Sequence, residues 1–177
     1  MLFKYISTQD CTSYDGCNKR VWFFVIGLVT ACICVVLDQA VKHLLLFRFD
    51  ILERGPFHIT SFLDFCSVWN SGISYGWFSH FGVVGRYLIS MLTLAAILVL
   101  SVCLWLISNI TFSLAAGLII GGSLGNLIDR ITYGSVFDYI HFFLPNKSFS
   151  WYVFNLADLF ICTGAGLMII YTSRKRN

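Results

Sequence analysis

Four long apolar runs limit the folds open to this sequence more than any other feature does. A helix needs about 20 mostly apolar residues to cross roughly 30 Å of hydrocarbon. Residues 21–46, 83–107, 112–128 and 151–171 meet that requirement, the third being short with its polar end placed at the interface. The expected fold class is an all-α membrane protein with four transmembrane helices and a small extracytoplasmic β-sheet element after the first. Charged residues make up 12% of the 177, and the mean hydropathy is +0.78. Soluble domains carry about 25% charged residues, so lipid is the main solvent of this chain.

Basic residues set the expected orientation. Lys4, Lys19 and Arg20 precede the first run, and Arg174, Lys175 and Arg176 follow the last. Four spans place both ends on one side, so both termini are expected in the cytoplasm. Residues 108–111 then form a tight cytoplasmic turn, and residues 47–82 and 129–150 face outward. The whole chain reads as one membrane-embedded domain, with a cytoplasmic N-terminal extension (1–20) and a basic tail (172–177).

A net charge of +3 without a basic stripe gives no footprint for nucleic acid. Seven cysteines show no CxxC or Cys/His spacing, so no metal site is expected.

Residues 47–82 exceed the length of a passive connector, since structureless loops beyond about 12–15 residues are uncommon. Phe57, Ile59, Leu63, Phe65 and Trp69 share one parity, and His58, Thr60, Asp64 and Asn70 the other. Such alternation predicts short β-strands. Trp77, Phe78 and Phe81 suit the headgroup level. Near the N-terminus, Val29-Thr30-Ala31-Cys32 imitates the cleavable box of a lipoprotein signal. Cleavage there would halve the first span, and three more spans follow, so an uncleaved helix is expected.

Carboxylates inside spans are costly, and each is a functional-site hypothesis. On the first helix Gly27, Ala31, Cys34, Asp38 and Lys42 form one small or polar stripe. The third carries Gly117, Gly121 and Gly125, a row that lets a neighbouring backbone approach closely, and then Asn126, Asp129 and Arg130. The fourth begins with Asn155 and Asp158, and Asp138 lies between the two helices. Asp38 with Lys42 and Asp129 with Arg130 suit structural ion pairs. Asp138 and Asp158 have no basic neighbour at helical spacing. Two unpaired carboxylates close together share a proton, and such a pair can activate water and protonate a carbonyl or leaving amine. Serine chemistry lacks its Gly-x-Ser-x-Gly elbow here.

These residues also resemble a known family. Gly121-Gly122-Ser123-Leu124-Gly125-Asn126-Leu127-Ile128-Asp129-Arg130, Gly134-Ser135-Val136-Phe137-Asp138-Tyr139-Ile140 and Phe154-Asn155-Leu156-Ala157-Asp158 are similar to the signature blocks of lipoprotein signal peptidase (signal peptidase II). Asp38-Gln39 with Lys42 resembles its first-helix block, and Asn70-Ser71-Gly72 its outer-loop block. The blocks follow the family order. The resemblance implies an intramembrane aspartic endopeptidase that removes the signal peptide of bacterial prolipoproteins, cutting before a diacylglyceryl-modified cysteine. It implies Asp138 and Asp158 as the catalytic dyad, and Asn126, Asp129, Arg130, Asn155, Asp38 and Lys42 as its support. Asn70 and Gly72 would contact substrate. It further implies the bacterial inner membrane, an active site near the outer face, membrane lipid and prolipoprotein as partners, a monomer, and no cofactor. Ile73, Ser74 and Tyr75 depart from the family pattern of two alanines and a phenylalanine.

Two rival readings are a proton-coupled transporter and a non-catalytic assembly subunit. A transport path needs polar residues through the full membrane depth, whereas these carboxylates gather at one face.

Overall fold

The computed structural model describes residues 2–72, 82–144 and 149–176, with side chains between residues 18 and 174. The aromatic cluster Trp77, Phe78 and Phe81 and the departure at Ile73, Ser74 and Tyr75 lie outside the described residues. Helix α1 runs Leu2–His43 and continues as a π-helical turn, Leu44–Arg48, into the short α2, Ile51–Arg54. Strands β1 (Phe57–Thr60) and β2 (Leu63–Asn70) follow, then α3 (Gly82–Leu106), α4 (Ile110–Thr132), β3 (Val136–Phe142) and α5 (Leu156–Arg176). Cys32 lies inside the unbroken α1.

Four helices among the described residues are long and apolar enough to cross a membrane: Asn18–Arg48, Gly82–Leu106, Ile110–Thr132 and Leu156–Arg174. Their buried shares identify the hub, 56% for α4 against 22%, 17% and 11% for α1, α3 and α5. Glycines explain why α4 can be central. A Cβ at Gly117 would stand 2.5 Å from the Gly27 carbonyl, and one at Gly121 would stand 2.6 Å from that of Ala31. On another side Gly122 lies against the Ala157 carbonyl of α5. Backbones therefore meet directly, where van der Waals contact replaces the missing hydrophobic drive between helices in lipid. The hydroxyls of Thr30, Ser90, Ser101 and Ser113 return to carbonyls four residues earlier, leaving these polar atoms satisfied. At the short α3–α4 connection the Asn109 side chain caps α4 by accepting from the Phe112 amide.

The three strands form one antiparallel sheet in the order β1-β2-β3. Phe137 and Tyr139 pack with Leu45, Leu46 and Ile51 in a core of their own, which fixes the sheet on the C-terminal end of α1. Residues 150–154 lie along the other side of β3, bridged at Ile140 to Phe154 and at Phe143 to Ser150.

Three expectations need correction. The fourth span starts at Leu156, not at residue 151, because residues 151–154 are extended and bond to β3. The sheet expected after the first helix also takes in a strand that follows α4, the stretch carrying Asp138. The single alternation expected over residues 57–70 also breaks. Phe65 faces Ile140 but Val68 faces Asp138, so Cys66 and Ser67 together oppose Tyr139 in a β-bulge. Asp64 thus faces His141 and Asn70 faces Val136, which puts these two residues on opposite sides of the sheet.

Candidate active site

Asp158 reaches its place through a local sequence device. Asn155 precedes α5, and its Oδ1 accepts the Asp158 amide at 2.9 Å while Asp158 Oδ2 accepts the Asn155 amide at 3.3 Å. This is a reciprocal capping box, with an asparagine at the cap and an aspartate three residues on. The box holds the Asp158 carboxylate against the first turn of α5, where the helix dipole attracts negative charge.

Asp138 arrives on β3, the last strand in the sheet order. Its Oδ1 accepts from Asn155 Nδ2 at 2.6 Å and its Oδ2 from Asn70 Nδ2 at 3.0 Å. Asn155 therefore touches both carboxylates, donating its side-chain amide to Asp138 and its backbone amide to Asp158. Asn126 closes the ring, donating to Asp158 Oδ1 at 2.8 Å and accepting from Asn155 at 3.0 Å. Burial pushes the Asp138 carboxyl up to about 7, and the negative charge of Asp158 adds to the rise. The amides of Asn70 and Asn155 and the charge of Lys42 oppose it.

Behind this ring lies a buried ion cluster. Lys42 Nζ bridges Asp38 at 2.8 Å and Asp129 at 2.7 Å, all three side chains being almost wholly enclosed. The expected pairing of Asp129 with Arg130 is therefore replaced. These neighbours point apart on the helix, and the cation that reaches Asp129 comes from α1. Each carboxylate of the cluster also binds one backbone amide. Asp38 Oδ1 accepts from Ala157 N at 3.0 Å, and Asp129 Oδ2 from Phe137 N at 3.1 Å.

Arg130 takes a different post. Its guanidinium donates to the Asn126 carbonyl at 3.4 Å and the Gly72 carbonyl at 3.1 Å. Its Nε is buried with no hydrogen-bond partner among the described residues. Gly72 does not reach the carboxylates, but its amide donates to Asn70 Oδ1 at 3.0 Å and so orients the Asn70 side chain.

A cavity of about 500 Å³ opens onto Asp138 and Asp158, with Asn70, Asn126 and Arg130 in its polar wall. Ile89 and Leu92 of α3 and Leu159, Ile161 and Cys162 of α5 give it an apolar wall. The ten residues singled out in the sequence thus meet in one region, with Asp38, Lys42 and Asp129 behind the cavity. Two others went unassigned. Gln39 ties the cluster together, donating to Asp129 at 3.0 Å and to Asp38 at 3.3 Å, and its place beside Asp38 was the available signal. Tyr152 lines the cavity beside the carboxylates, and burial and their charges raise its phenol above the usual range. No spacing rule marks it. Among the described residues no group of three or more His, Cys, Asp or Glu could hold a metal ion.

Four membrane-spanning helices among the described residues, a sheet at one end, and a buried and a half-buried carboxylate sharing a cavity define a multi-pass membrane protein with an acid–base site. A family model for signal peptidase (SPase) II matches residues 30–174. The chain is 48% identical over 153 residues to the lipoprotein signal peptidase of Beijerinckia indica, covering 85% of this chain and 90% of that protein. It is 41% identical over 152 residues to that of Rhodopseudomonas palustris, covering 84% and 91%. A bacterial membrane enzyme solved by the in meso method at 2.3 Å resolution superposes with a TM-score of 0.72 at 25% identity, covering 85% and 89%. The chain belongs to the signal peptidase II family, and it is an aspartic-type signal peptidase.

Proposed function

We infer that this protein removes the signal peptide from diacylglyceryl-modified bacterial prolipoproteins, with Asp138 and Asp158 as its catalytic pair. The observation that carries the assignment is the hydrogen-bonded ring in which Asn155 donates to both carboxylates at one cavity, through its side chain to Asp138 and its backbone to Asp158. Asp138, with its carboxyl near 7, keeps the shared proton at neutral pH. Asp158 draws a proton from a water molecule as the oxygen attacks the scissile carbonyl carbon. Asp138 gives its proton to the carbonyl oxygen, so no free oxyanion forms. When the C–N bond breaks, Asp158 passes its proton to the leaving amine and Asp138 recovers one from the collapsing diol.

In this reading both termini are cytoplasmic, the sheet and cavity face the outer leaflet, and the protein acts as one domain and as a monomer. Substrate enters sideways between α3 and α5, whose apolar residues line the cavity. The polar groups gather at one end of the bundle, which favours this reading over a transport path. The test uses a purified diacylglyceryl prolipoprotein. Asp138→Asn and Asp158→Asn should each abolish cleavage while inserting normally. Wild-type cleavage by either variant would remove that residue from the chemistry.

A further inference from the structure

A second cavity, of about 460 Å³, lies against the outer half of β3. Six aromatic rings and Leu144 line it, and among the described residues the Trp151 indole N–H is the one polar side-chain group in the lining. Three of the rings form a ladder. Phe154 stacks on Phe142 at 5.9 Å, and Phe142 on Phe62 at 6.3 Å, with interplanar angles of 16° and 6°. Phe149 and Trp151 pack together at 5.7 Å and complete the lining. The ladder starts at the active site, because Phe154 immediately precedes Asn155, and both Phe154 and Trp151 line the carboxylate cavity as well. Phe62, Phe149 and Trp151 remain 48%, 50% and 52% exposed, so the trough is open. A contiguous apolar surface of this kind marks an interaction site.

We propose that this trough holds one acyl chain of the substrate's lipid-modified residue beside the scissile bond, an inference that rests on the prolipoprotein reading above. The chemistry of the lining selects the occupant. An extended peptide brings an N–H and a C=O at each residue, and among the described lining residues only the Trp151 indole could meet one of them. An alkyl chain has no such need. The acyl chains hang from the residue that follows the scissile bond, and so begin at the walls the two cavities share. Lipid tails are as apolar as the trough, so the trough gains orientation rather than transfer energy. Seating the chain fixes the glyceryl-cysteine, and with it the scissile carbonyl, against the carboxylates.

The test compares the full-length wild type with a Phe62→Ser/Phe142→Ser variant in one detergent. Substrates are prolipoproteins carrying dipalmitoyl or dibutyryl glyceryl-cysteine. The variant should lose about tenfold in kcat/KM on the dipalmitoyl substrate and about twofold or less on the dibutyryl one, the difference being lost orientation. Equal losses on both overturn the proposal. A second measurement needs no variant: a dipalmitoyl substrate with a diazirine at the chain end is photolysed with the wild type. Label on Phe62, Phe142 or Phe149 supports the trough. Label confined to the lipid-facing sides of α3 and α5 overturns it, as does equal labelling of these phenylalanines by a diazirine phospholipid under saturating substrate. If the wild type cleaved neither substrate, the prolipoprotein reading would fall, and this one with it.

Discussion

Asp129 accepts the backbone amide of Phe137 at 3.1 Å, one residue before Asp138. Asp38 does the same for Ala157 at 3.0 Å, one residue before Asp158. Lys42 lies between the two holders, at 2.8 Å from Asp38 and 2.7 Å from Asp129. The two cavity carboxylates thus come from different elements, β3 and α5, yet both are set by one buried cation on α1. A displacement of Lys42 would act on both at once.

Lys42→Met should therefore leave two buried carboxylates without their cation. Breaking a buried ion pair from one side costs about 3–5 kcal/mol, so thermal unfolding in detergent should drop sharply. Lys42→Met combined with Asp129→Asn removes one of the stranded charges and should recover part of the loss. An unchanged melting temperature in the single variant would show that the cluster does not hold the site.

The titration of Asp138 gives activity an alkaline limb. Cleavage should decline above about pH 7 as that carboxyl loses its proton. The Asn70 amide favours the charged form. Asn70→Leu should therefore move the limb to higher pH, and a pH profile of kcat/KM measures the shift. Stability follows the same group. Between its ordinary value of 3.8 and about 7 the folded carboxyl holds a proton that the unfolded chain has released. Stability from this group is therefore lost as pH rises through that window. Asp138→Asn escapes the loss, so its melting advantage should grow from about pH 4 to about pH 7 and then level off. A difference that stays constant with pH would contradict the assignment.

Glycine substitutions should separate close packing from helix propensity. A Cβ at Gly125 would stand 2.5 Å from Asp38 Oδ2, which Lys42 and the Gln39 side chain already hold. At Gly122 it would meet the Ala157 backbone. Gly122→Ala and Gly125→Ala should each cost about 1–3 kcal/mol by overpacking and reduce cleavage. Gly166 has nothing within 4 Å of its Cβ position. There alanine should be neutral or stabilise α5 by up to about 1 kcal/mol. Equal tolerance at all three positions would argue against direct backbone contact between these helices.

Much of the architecture was legible because lipid imposes a simple rule on sequence. Each span must be long, apolar and helical, so all four could be placed, with boundary errors where polar and extended chain meet. The stripe from Gly27 to Lys42 and the row from Gly117 to Gly125 had faces set by helical period alone, and they do face each other. The capping box at Asn155 and Asp158 is likewise local, written within four residues. Pairing was less legible. Asp129 has Arg130 beside it in sequence, but successive helix residues diverge by about 100°, and Lys42 of another helix reaches it instead.

By itself, then, the sequence determined which segments enter lipid, which helix faces carry small or charged residues, and that unpaired carboxylates gather near one end. Only the tertiary structure decided how Asp138 meets Asp158. That meeting depends on β3 pairing with β2, a non-local contact that no spacing encodes, and on the bulge at Cys66 and Ser67. One extra residue there reverses the alternation of the strand. It turns Asn70 toward Asp138 and leaves Trp69 on the other side, packed against Phe137. A period-2 pattern cannot announce its own interruption, because the register of a strand is set by its partner.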